Sequence, residues 1–496
     1  MKHITLHIHP KFAIGAIDRR LFGGFLEHLG RAVYEGVFDP ASPNSDTSGF
    51  RIDVLDALKR LELSCIRYPG GNFVSGYHWK DGVGPKEYRK PKLELAWRSL
   101  ELNTFGTDEF ISLCRKMSWM PMLTVNLGTG TPEEAKDWVE YCNATAGPNA
   151  DMRKQNGHTE PYHVPLWFLG NEMDAPWQLG HLPAELYAVK AEQAARMMKV
   201  VDPTIELVIA GSCLPSMPTY MKWDQTILEY AGEVVDYIGF HNYVENPKTG
   251  LGDYLSFSTA LDRQIYDMES VCRMVQSKLH RPSPIKLCLD EWNVWYRNHI
   301  KDGQWKTSQH LLEEEYDFED ALVVAAFLVS FLRHADILKI ANIAQIVNVI
   351  APIMTKNDGM YCQTIFWPFE MISSLARGKS LRDIYIGPTY HSRHGEVDVI
   401  DRVVVLDGSK LSIIIINKDE IDSVQVRINV SEMKVSEILD ARILASSNTK
   451  DKNTFSQPNA VSPSRFENYS IISEDTLEIV CPPVSMVTLS ARVVLD

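Results

Sequence analysis

The stretch Leu166-Trp167-Phe168-Leu169-Gly170-Asn171-Glu172 sets four apolar residues before a glycine, an amide and a carboxylate. Ile285-Lys286-Leu287-Cys288-Leu289-Asp290-Glu291-Trp292-Asn293 repeats the design further along. So short an apolar run reads as a buried strand, and polar side chains just beyond the C-terminal ends of such strands are where (β/α) barrels carry their chemistry. Outward from these two, further β-rich runs stand at Phe22–Leu26, Ser64–Tyr68, Met122–Leu127, Glu206–Ala210, Tyr237–His241 and Ala344–Val349, which makes eight. Helical patterns separate them. Leu261, Ile265, Met268, Cys272, Val275 and Leu279 fall on one helix face. Thr131-Pro132-Glu133-Glu134 opens another helix, with Thr131 as N-cap, proline at the first position and Glu134 placed to complete a capping box. Strands alternating with helices predict a parallel sheet, and eight units predict a closed (β/α)8 barrel; an open doubly wound sheet is the alternative, but no GxGxxG follows the first strand.

After about residue 380 the helical period disappears. Val397–Leu406, Leu411–Ile416, Val424–Val430, Thr476–Cys481 and Val484–Leu489 read as strands, with Asp407-Gly408 a hairpin turn and Pro482-Pro483 a break. The expectation is an α/β TIM barrel over residues 16–380 and a C-terminal all-β, jelly-roll-like sandwich over 381–496. Residues 446–469, rich in Ser, Asn, Lys and Pro, read as a long exposed loop. Met1 to Pro10 alternate apolar and polar side chains, and residues 1–15, with no place in a barrel that begins near Phe22, are expected to complete the C-terminal sheet.

Composition narrows the function. With 50 Lys+Arg against 64 Asp+Glu the formal charge is −14, which disfavours a nucleic-acid partner. The N-terminus lacks the unbroken apolar segment of a secretion signal, and the longest apolar stretch, Ala321 to Leu332, is shorter than the roughly 18 residues that a spanning helix needs. Eight scattered cysteines without CxxC pairs read as reduced thiols of a cytoplasmic enzyme.

Glutamates at the ends of the fourth and seventh strands would face each other across the barrel mouth. Paired carboxylates are what glycoside hydrolysis needs: one protonated to release the leaving oxygen, one ionised to attack or to activate water. Gly170-Asn171-Glu172-Met173-Asp174 and Leu289-Asp290-Glu291-Trp292-Asn293-Val294-Trp295 resemble the acid/base and nucleophile motifs of the α-L-arabinofuranosidases of glycoside hydrolase family 51. The resemblance continues through Gly23-Gly24-Phe25-Leu26-Glu27-His28, Arg67-Tyr68-Pro69-Gly70-Gly71-Asn72, Leu95-Ala96-Trp97-Arg98, His241-Asn242-Tyr243 and the stretch from Ala344 to Pro352, in the family's order.

The resemblance implies a retaining, exo-acting α-L-arabinofuranosidase that removes terminal residues from arabino-oligosaccharides, arabinan or arabinoxylan fragments, with Glu172 as acid/base and Glu291 as nucleophile. Asn171 is similar to the family's asparagine that bonds the hydroxyl beside the reacting carbon. Glu27, Asn72, Tyr243 and Gln345 resemble its other sugar contacts, and Tyr243 has the further role of orienting Glu291. Trp97, Trp177 and Trp295 have the aromatic faces that stack on sugar rings. Arg67 is placed to keep Glu291 charged, while burial and the charge on Glu291 are expected to raise the pKa of Glu172. Asp174 and Asp290 are expected to be structural, accepting backbone N–H groups. Ala175 departs from the glycine common in the family and bears on the loop that carries Trp177.

The chemistry calls for no cofactor, since a carboxylate nucleophile and proton transfer suffice. The expected partner is the arabinose-containing oligosaccharide, with no nucleic acid and no membrane, and the family resemblance implies a homo-oligomer, commonly a hexamer. Three rivals stand beside this reading: a β-xylosidase or endoglucanase on the same barrel, a metal-dependent barrel hydrolase using His7-Ile8-His9, and a non-catalytic carbohydrate-binding protein.

Overall fold

The computed structural model of the chain describes residues 1–297 and 304–495. Eight parallel strands close into a barrel in chain order: Gly23–Phe25, Cys65–Tyr68, Met120–Val125, Leu166–Leu169, Glu206–Ala210, Tyr237–Val244, Lys286–Val294 and Leu338–Ala344. The eighth returns to the first, with Asn342 opposite Gly23 and Ala344 opposite Phe25. Glu172 and Glu291 therefore belong to the fourth and seventh strand ends.

Strand alternation decides what fills the interior. Cys65, Met122, Leu166, Phe168, Val208, Tyr237, Cys288 and Ile340 form an apolar plug inside the barrel. Their neighbours Ile66, Leu123, Trp167, Leu207, Ile238 and Leu289 join the outer core beneath the helices. With both faces buried, these strands read as continuous apolar runs. Helix Phe257–Lys278 buries Leu261, Ile265, Met268, Cys272 and Val275 against them. At helix Pro132–Asn143 Thr131 accepts the Glu134 N–H at 3.1 Å. Glu134 does not complete the capping box; its carboxylate lies 2.9 Å from His78 Nδ1 instead.

The eighth strand is not Ala344–Val349 but Leu338–Ala344, which ends where the expected strand begins. Apolar side chains continue through both segments and all are buried, so hydrophobicity alone does not mark where the strand ends. Polar bonding does: from Gln345 on, the backbone pairs with other loops, Asn348 N–H with the Ile353 carbonyl and Ile350 N–H with that of Leu312, each at 2.8 Å.

The second unit is one continuous ten-stranded sheet. Strand Lys2–Ala16 lies inside it, antiparallel to Lys379–Ile386 (Thr5 opposite Ile386) and parallel to Val424–Val430 (Lys2 opposite Val424). One sheet face encloses its own core, which includes Leu6, Ile413, Ile415, Val426 and Leu489. Ile414, Ile416, Val403 and Met486 point the other way and join the barrel's core. The four consecutive isoleucines Ile413 to Ile416 thus follow from a strand with two buried faces.

Three elements depart from the sequence reading. Met433–Ala445, a long strand beside Ser485–Leu495, carries charged residues on its open side and so lacks an apolar signature. Val397–Leu406 is two elements, Gly395–Asp398 in a hairpin with Thr389–Ser392, then Ile400–Asp407. The polar 446–469 segment is anchored rather than free. Asn453 is buried and donates to the carbonyls of Cys362 (3.0 Å) and Val461 (2.9 Å), and Val461 packs into the barrel core. All eight cysteines are buried and unpaired. No helix among the described residues is long and apolar enough to cross a membrane.

Candidate active site

Four strand ends assemble the site, and period two explains two of them. Arg67 lies two residues beyond Cys65 and His241 four beyond Tyr237, so both point inward above the plug; Tyr243 follows His241 on the same face. The seventh strand needs a correction of phase, because strict alternation from Cys288 would turn Glu291 outward. A β-bulge supplies it: Leu289 pairs with Phe240 and Glu291 with His241, leaving Asp290 as the extra residue. Asp290 and Glu291 therefore both face the interior. Gly239 makes room, since a Cβ there would lie 2.6 Å from Asp290 Oδ1.

On the fourth strand Gly170 (φ 83°) and Glu172 (φ 45°) both adopt left-handed backbone, uncommon for a glutamate. Such a conformation costs on the order of 1–3 kcal/mol and persists only where its surroundings impose it. Here the turn is closed by Ala175 N–H on the Glu172 carbonyl (2.8 Å), with Ala175 fully buried. Asp174 accepts Cys213 N–H at 3.2 Å, tying the turn to the fifth strand's end, as expected of a structural residue. The result aims the Glu172 carboxylate back across the mouth.

Arg67 is the hub. Fully buried, its guanidinium lies 4.8 Å from the ring centroids of Phe25 and Phe168. It donates to Glu291 Oε1 (2.7 Å), Asn171 Oδ1 (2.7 Å) and Thr124 Oγ1 (3.2 Å), with Asp290 Oδ2 at 3.4 Å. The other oxygen of Glu291 accepts the Tyr243 hydroxyl at 2.8 Å. Glu172 accepts the Trp177 indole N–H at 2.6 Å on one oxygen and faces His241 Nδ1 at 2.9 Å with the other. His241 Nδ1 is also 3.6 Å from Glu291, and its Nε2 lies 3.4 Å from Asp290. Oxygens of Glu172 and Glu291 and the His241 nitrogen all lie within 4.8 Å of one another.

A pocket of about 310 Å³ opens above the two carboxylates, lined among others by Glu27, Asn72, Trp97, Trp295 and Gln345. Glu27 accepts Phe73 N–H (2.9 Å) and the Trp97 indole (3.1 Å) on one oxygen, and Gln345 accepts Glu27 N–H at 2.9 Å. Burial, with the charge of Glu291, pushes the Glu27 carboxyl up to about 8. Asn171 Nδ2 is buried with no hydrogen-bond partner, so an incoming hydroxyl would satisfy it. The eleven residues expected to be catalytic, sugar-binding or supporting thus lie at this one place: nine line the pocket, and Asn171 and Arg67 sit beneath it.

Two expectations change. Glu172 is not raised: burial pushes its carboxyl up, but the hydrogen bond and charge of His241, with Trp177 and Arg67, hold it below the ordinary range. His241 moves the opposite way; burial acts downward, but Glu291, Asp290 and Glu172 hold its imidazole well above its usual value. The two groups are thus pushed in opposite directions, and the 2.9 Å contact between Glu172 and His241 Nδ1 gives a proton a path between them. Asp290 is likewise more than a backbone acceptor, since its carboxylate faces both Arg67 and His241. Neither role of these two residues was assigned from the sequence, although His241 stands two residues before Tyr243 on the same strand face.

The His7-Ile8-His9 pair is not at the barrel mouth. It lies on the N-terminal strand of the C-terminal sheet, with His7 exposed and His9 Nε2 3.6 Å from Glu432. Glu172, His241 and Glu291 do lie close enough together to hold a cation. Their donor atoms, however, are already engaged by Arg67, Tyr243, Trp177 and one another, which is the pattern of a proton network.

Two tests follow from this geometry. A Cβ at Gly71 would sit 2.7 Å from Glu291 Oε1 and 3.1 Å from Asn171 Nδ2. The G71A substitution is therefore expected to displace the carboxylate and lower kcat/KM about 100-fold, with little change in Tm. The H241N substitution removes the group that carries the shared proton and returns it to Glu172. Because the imidazole binds that proton more tightly than a carboxyl does, the alkaline limb of the kcat/KM profile is expected to move to lower pH. An unmoved limb would exclude His241 from the proton inventory.

The sequence matches the profile described as alpha-L-arabinofuranosidase 1 domain over residues 57–248 and that of the alpha-L-arabinofuranosidase C-terminal domain over 290–485. It is 41% identical over 493 residues to the intracellular exo-α-(1→5)-L-arabinofuranosidase 1 of Bacillus subtilis, covering 98% of each chain. An exo-α-(1→6)-L-arabinofuranosidase from Bifidobacterium longum is 37% identical, over 99% of this chain and 98% of that one. Among solved structures, a family 51 α-L-arabinofuranosidase from Bifidobacterium longum superposes with a TM-score of 0.94 at 34% identity, over 99% of both chains.

Proposed function

Since this chain belongs to the α-L-arabinofuranosidases of glycoside hydrolase family 51 and is an exo-acting member of that activity, we propose that it works by retaining double displacement, with Glu291 as nucleophile and Glu172 as acid/base. The observation that carries this reading is the approach of the two carboxylates. Oxygens within 4.8 Å suit retaining enzymes, whose carboxyl groups stand about 5–5.5 Å apart, and leave no room for the inverting water that needs about 6.5–9.5 Å.

In the first step Glu291, its charge compensated by Arg67, attacks the anomeric carbon while the Glu172–His241 pair delivers its proton to the leaving oxygen. Proton transfer from His241 Nδ1 leaves Glu172 neutral at the moment of donation and the imidazole neutral beside it. In the second step ionised Glu172 takes a proton from water, which attacks the anomeric carbon and frees Glu291. Asn171 Nδ2 bonds the hydroxyl next to the reacting carbon, and Glu27, Asn72 and Gln345 hold the rest of the ring between Trp97 and Trp295.

We assign as substrate a terminal α-(1→5)-linked arabinofuranosyl group of an arabino-oligosaccharide, supported by the activity named for the Bacillus subtilis relative, and place the enzyme inside the cell on the same support. A homo-oligomer, hexameric by family resemblance, completes the proposal and is read by light scattering. The deciding experiment is hydrolysis of 4-nitrophenyl α-L-arabinofuranoside followed by NMR, with (1→5)- and (1→6)-linked disaccharides compared. The α-anomer of arabinose is expected first. First appearance of the β-anomer would overturn the retaining mechanism, and preference for the (1→6) linkage would overturn the substrate assignment.

A further inference from the structure

A second cavity, of about 510 Å³, adjoins the carboxylate pocket and shares Leu214, Tyr243 and Arg297 with it. Its position bears on the reaction. The leaving group must depart on the side of the proton donor, Glu172, which stands on the fourth strand end. Leu214 follows the fifth strand and Tyr243 ends the sixth, so the shared wall lies on that side of the mouth.

The far wall comes from the other half of the molecule. The hairpin of Thr389–Ser392 and Gly395–Asp398 projects from the C-terminal unit and is docked on the barrel's sixth β/α loop and the helix after it. Tyr390 hydroxyl donates to the Gly252 carbonyl (2.9 Å), Arg393 N–H to Asp253 Oδ1 (2.7 Å), and Arg263 Nη2 to the His394 carbonyl (2.8 Å). These bonds set Arg393 and His394 at the end of the cavity opposite Leu214. Neither the Arg263 nor the Arg393 guanidinium forms an ion pair among the described residues, so the N–H donors that Arg263 does not spend on His394, and those of Arg393, can meet a ligand. Asp267 and Glu245 supply acceptors, and Tyr220 offers an aromatic face.

Arginines and carboxylates in comparable number beside an aromatic face match neighbouring hydroxyls of a neutral saccharide, which donate and accept alike. A lone anionic group would be met by the cations and repelled by the acids. The carboxylate pocket itself, at about 310 Å³, is at the small end of ligand sites, roughly 300–1,000 Å³, and holds the cleaved sugar with little beyond it.

Resting on the retaining mechanism above, we propose that this groove binds the leaving side of the substrate: a neutral oligosaccharide running from Glu172 past Leu214 to the hairpin tip at Arg393 and His394. The C-terminal unit thereby takes part in substrate selection.

The test is a length series of α-(1→5)-arabino-oligosaccharides, from two to five residues, beside 4-nitrophenyl α-L-arabinofuranoside, whose leaving group does not reach the hairpin. For the wild type kcat/KM is expected to rise about fivefold or more from the disaccharide to the tetrasaccharide, each ordered contact adding a modest factor. The double variant Arg393→Ala with His394→Ala, and separately Tyr220→Ala, is expected to lose that rise while keeping the rate on the 4-nitrophenyl substrate and the Tm. A flat wild-type series overturns the groove, and so does a variant that keeps the full rise. No turnover of the 4-nitrophenyl glycoside by the wild type would instead reject the function assigned above, so the two failures are distinguishable.

Discussion

Replacing Glu291 with alanine is expected to lower kcat on 4-nitrophenyl α-L-arabinofuranoside on the order of 10⁴–10⁶-fold, because it deletes the bond-forming atom of the first step. No neighbour can substitute. Asp290 is the nearest carboxylate along the chain, but its position beneath the mouth, with Oδ2 at 3.4 Å from both Arg67 and His241, holds it away from the pocket. The substitution also removes one of the two carboxylates, with Asp290, that balance a fully buried guanidinium, and breaking a buried pair costs about 3–5 kcal/mol. A loss of activity could then reflect unfolding, so E291Q is the necessary companion. It keeps the shape and an acceptor for Arg67, and its Tm is expected to stay near the wild type while activity is lost. Azide supplied to E291A enters the space left by the carboxylate and attacks from the same face, giving the inverted β-arabinofuranosyl azide. Full activity in E291Q would remove Glu291 from the nucleophile role.

Glu172→Ala should behave differently, and the difference separates the two carboxylates. On an activated 4-nitrophenyl substrate the leaving group needs no proton, so the first step survives and the second stalls for want of a base. The expected result is a burst of nitrophenol, a fall in steady-state kcat of about 10²–10⁴-fold and a lowered KM as the glycosyl-enzyme accumulates. Natural disaccharides, which do need protonation, should lose more. Azide requires no base and is expected to restore turnover, here with retention, giving the α-azide. The two variants thus predict opposite anomers from one nucleophile, a result that general misfolding cannot imitate. A β-azide from E172A, or rescue by neither variant, would break the assignment. The H241N profile completes the set, because it removes neither carboxylate and moves only the proton between them.

Much of the fold was legible because burial writes directly on composition. Strands covered on both faces must be apolar throughout, and Leu166–Leu169 and Tyr237–Phe240 were found on that ground. The same rule explains the failure at the eighth strand: the apolar residues of Leu338–Ala344 and of the loop after it are all buried, and composition records burial, not hydrogen bonding. The strand Met433–Ala445 failed for the opposite reason, since its open face carries Lys434, Glu437 and Asp440 in place of apolar residues. At the site, Glu172, Glu291 and Arg67 can be named from their places at strand ends, and Tyr243 only from the family resemblance. His241 was read as part of a motif without a task, and Asp290 as a structural acid.

What the sequence determined by itself was the set of side chains at the barrel mouth and the kind of chemistry they perform. The two glutamates and Arg67 follow from the position of polar residues where an apolar run stops, and the sugar-contacting residues from the order of motifs shared with the family. The ionisation of the site was decided only by tertiary structure. A pKa depends on which charges lie within a few ångströms, and Glu172, His241 and Glu291 are brought that close by three separate strands, a left-handed turn and a single bulged residue. Without the bulge at Asp290 the Glu291 carboxylate would face outward, and without His241 Glu172 would lose the contact that holds its carboxyl below the ordinary range. Distances of that kind are properties of the closed barrel, not of any one segment of the chain.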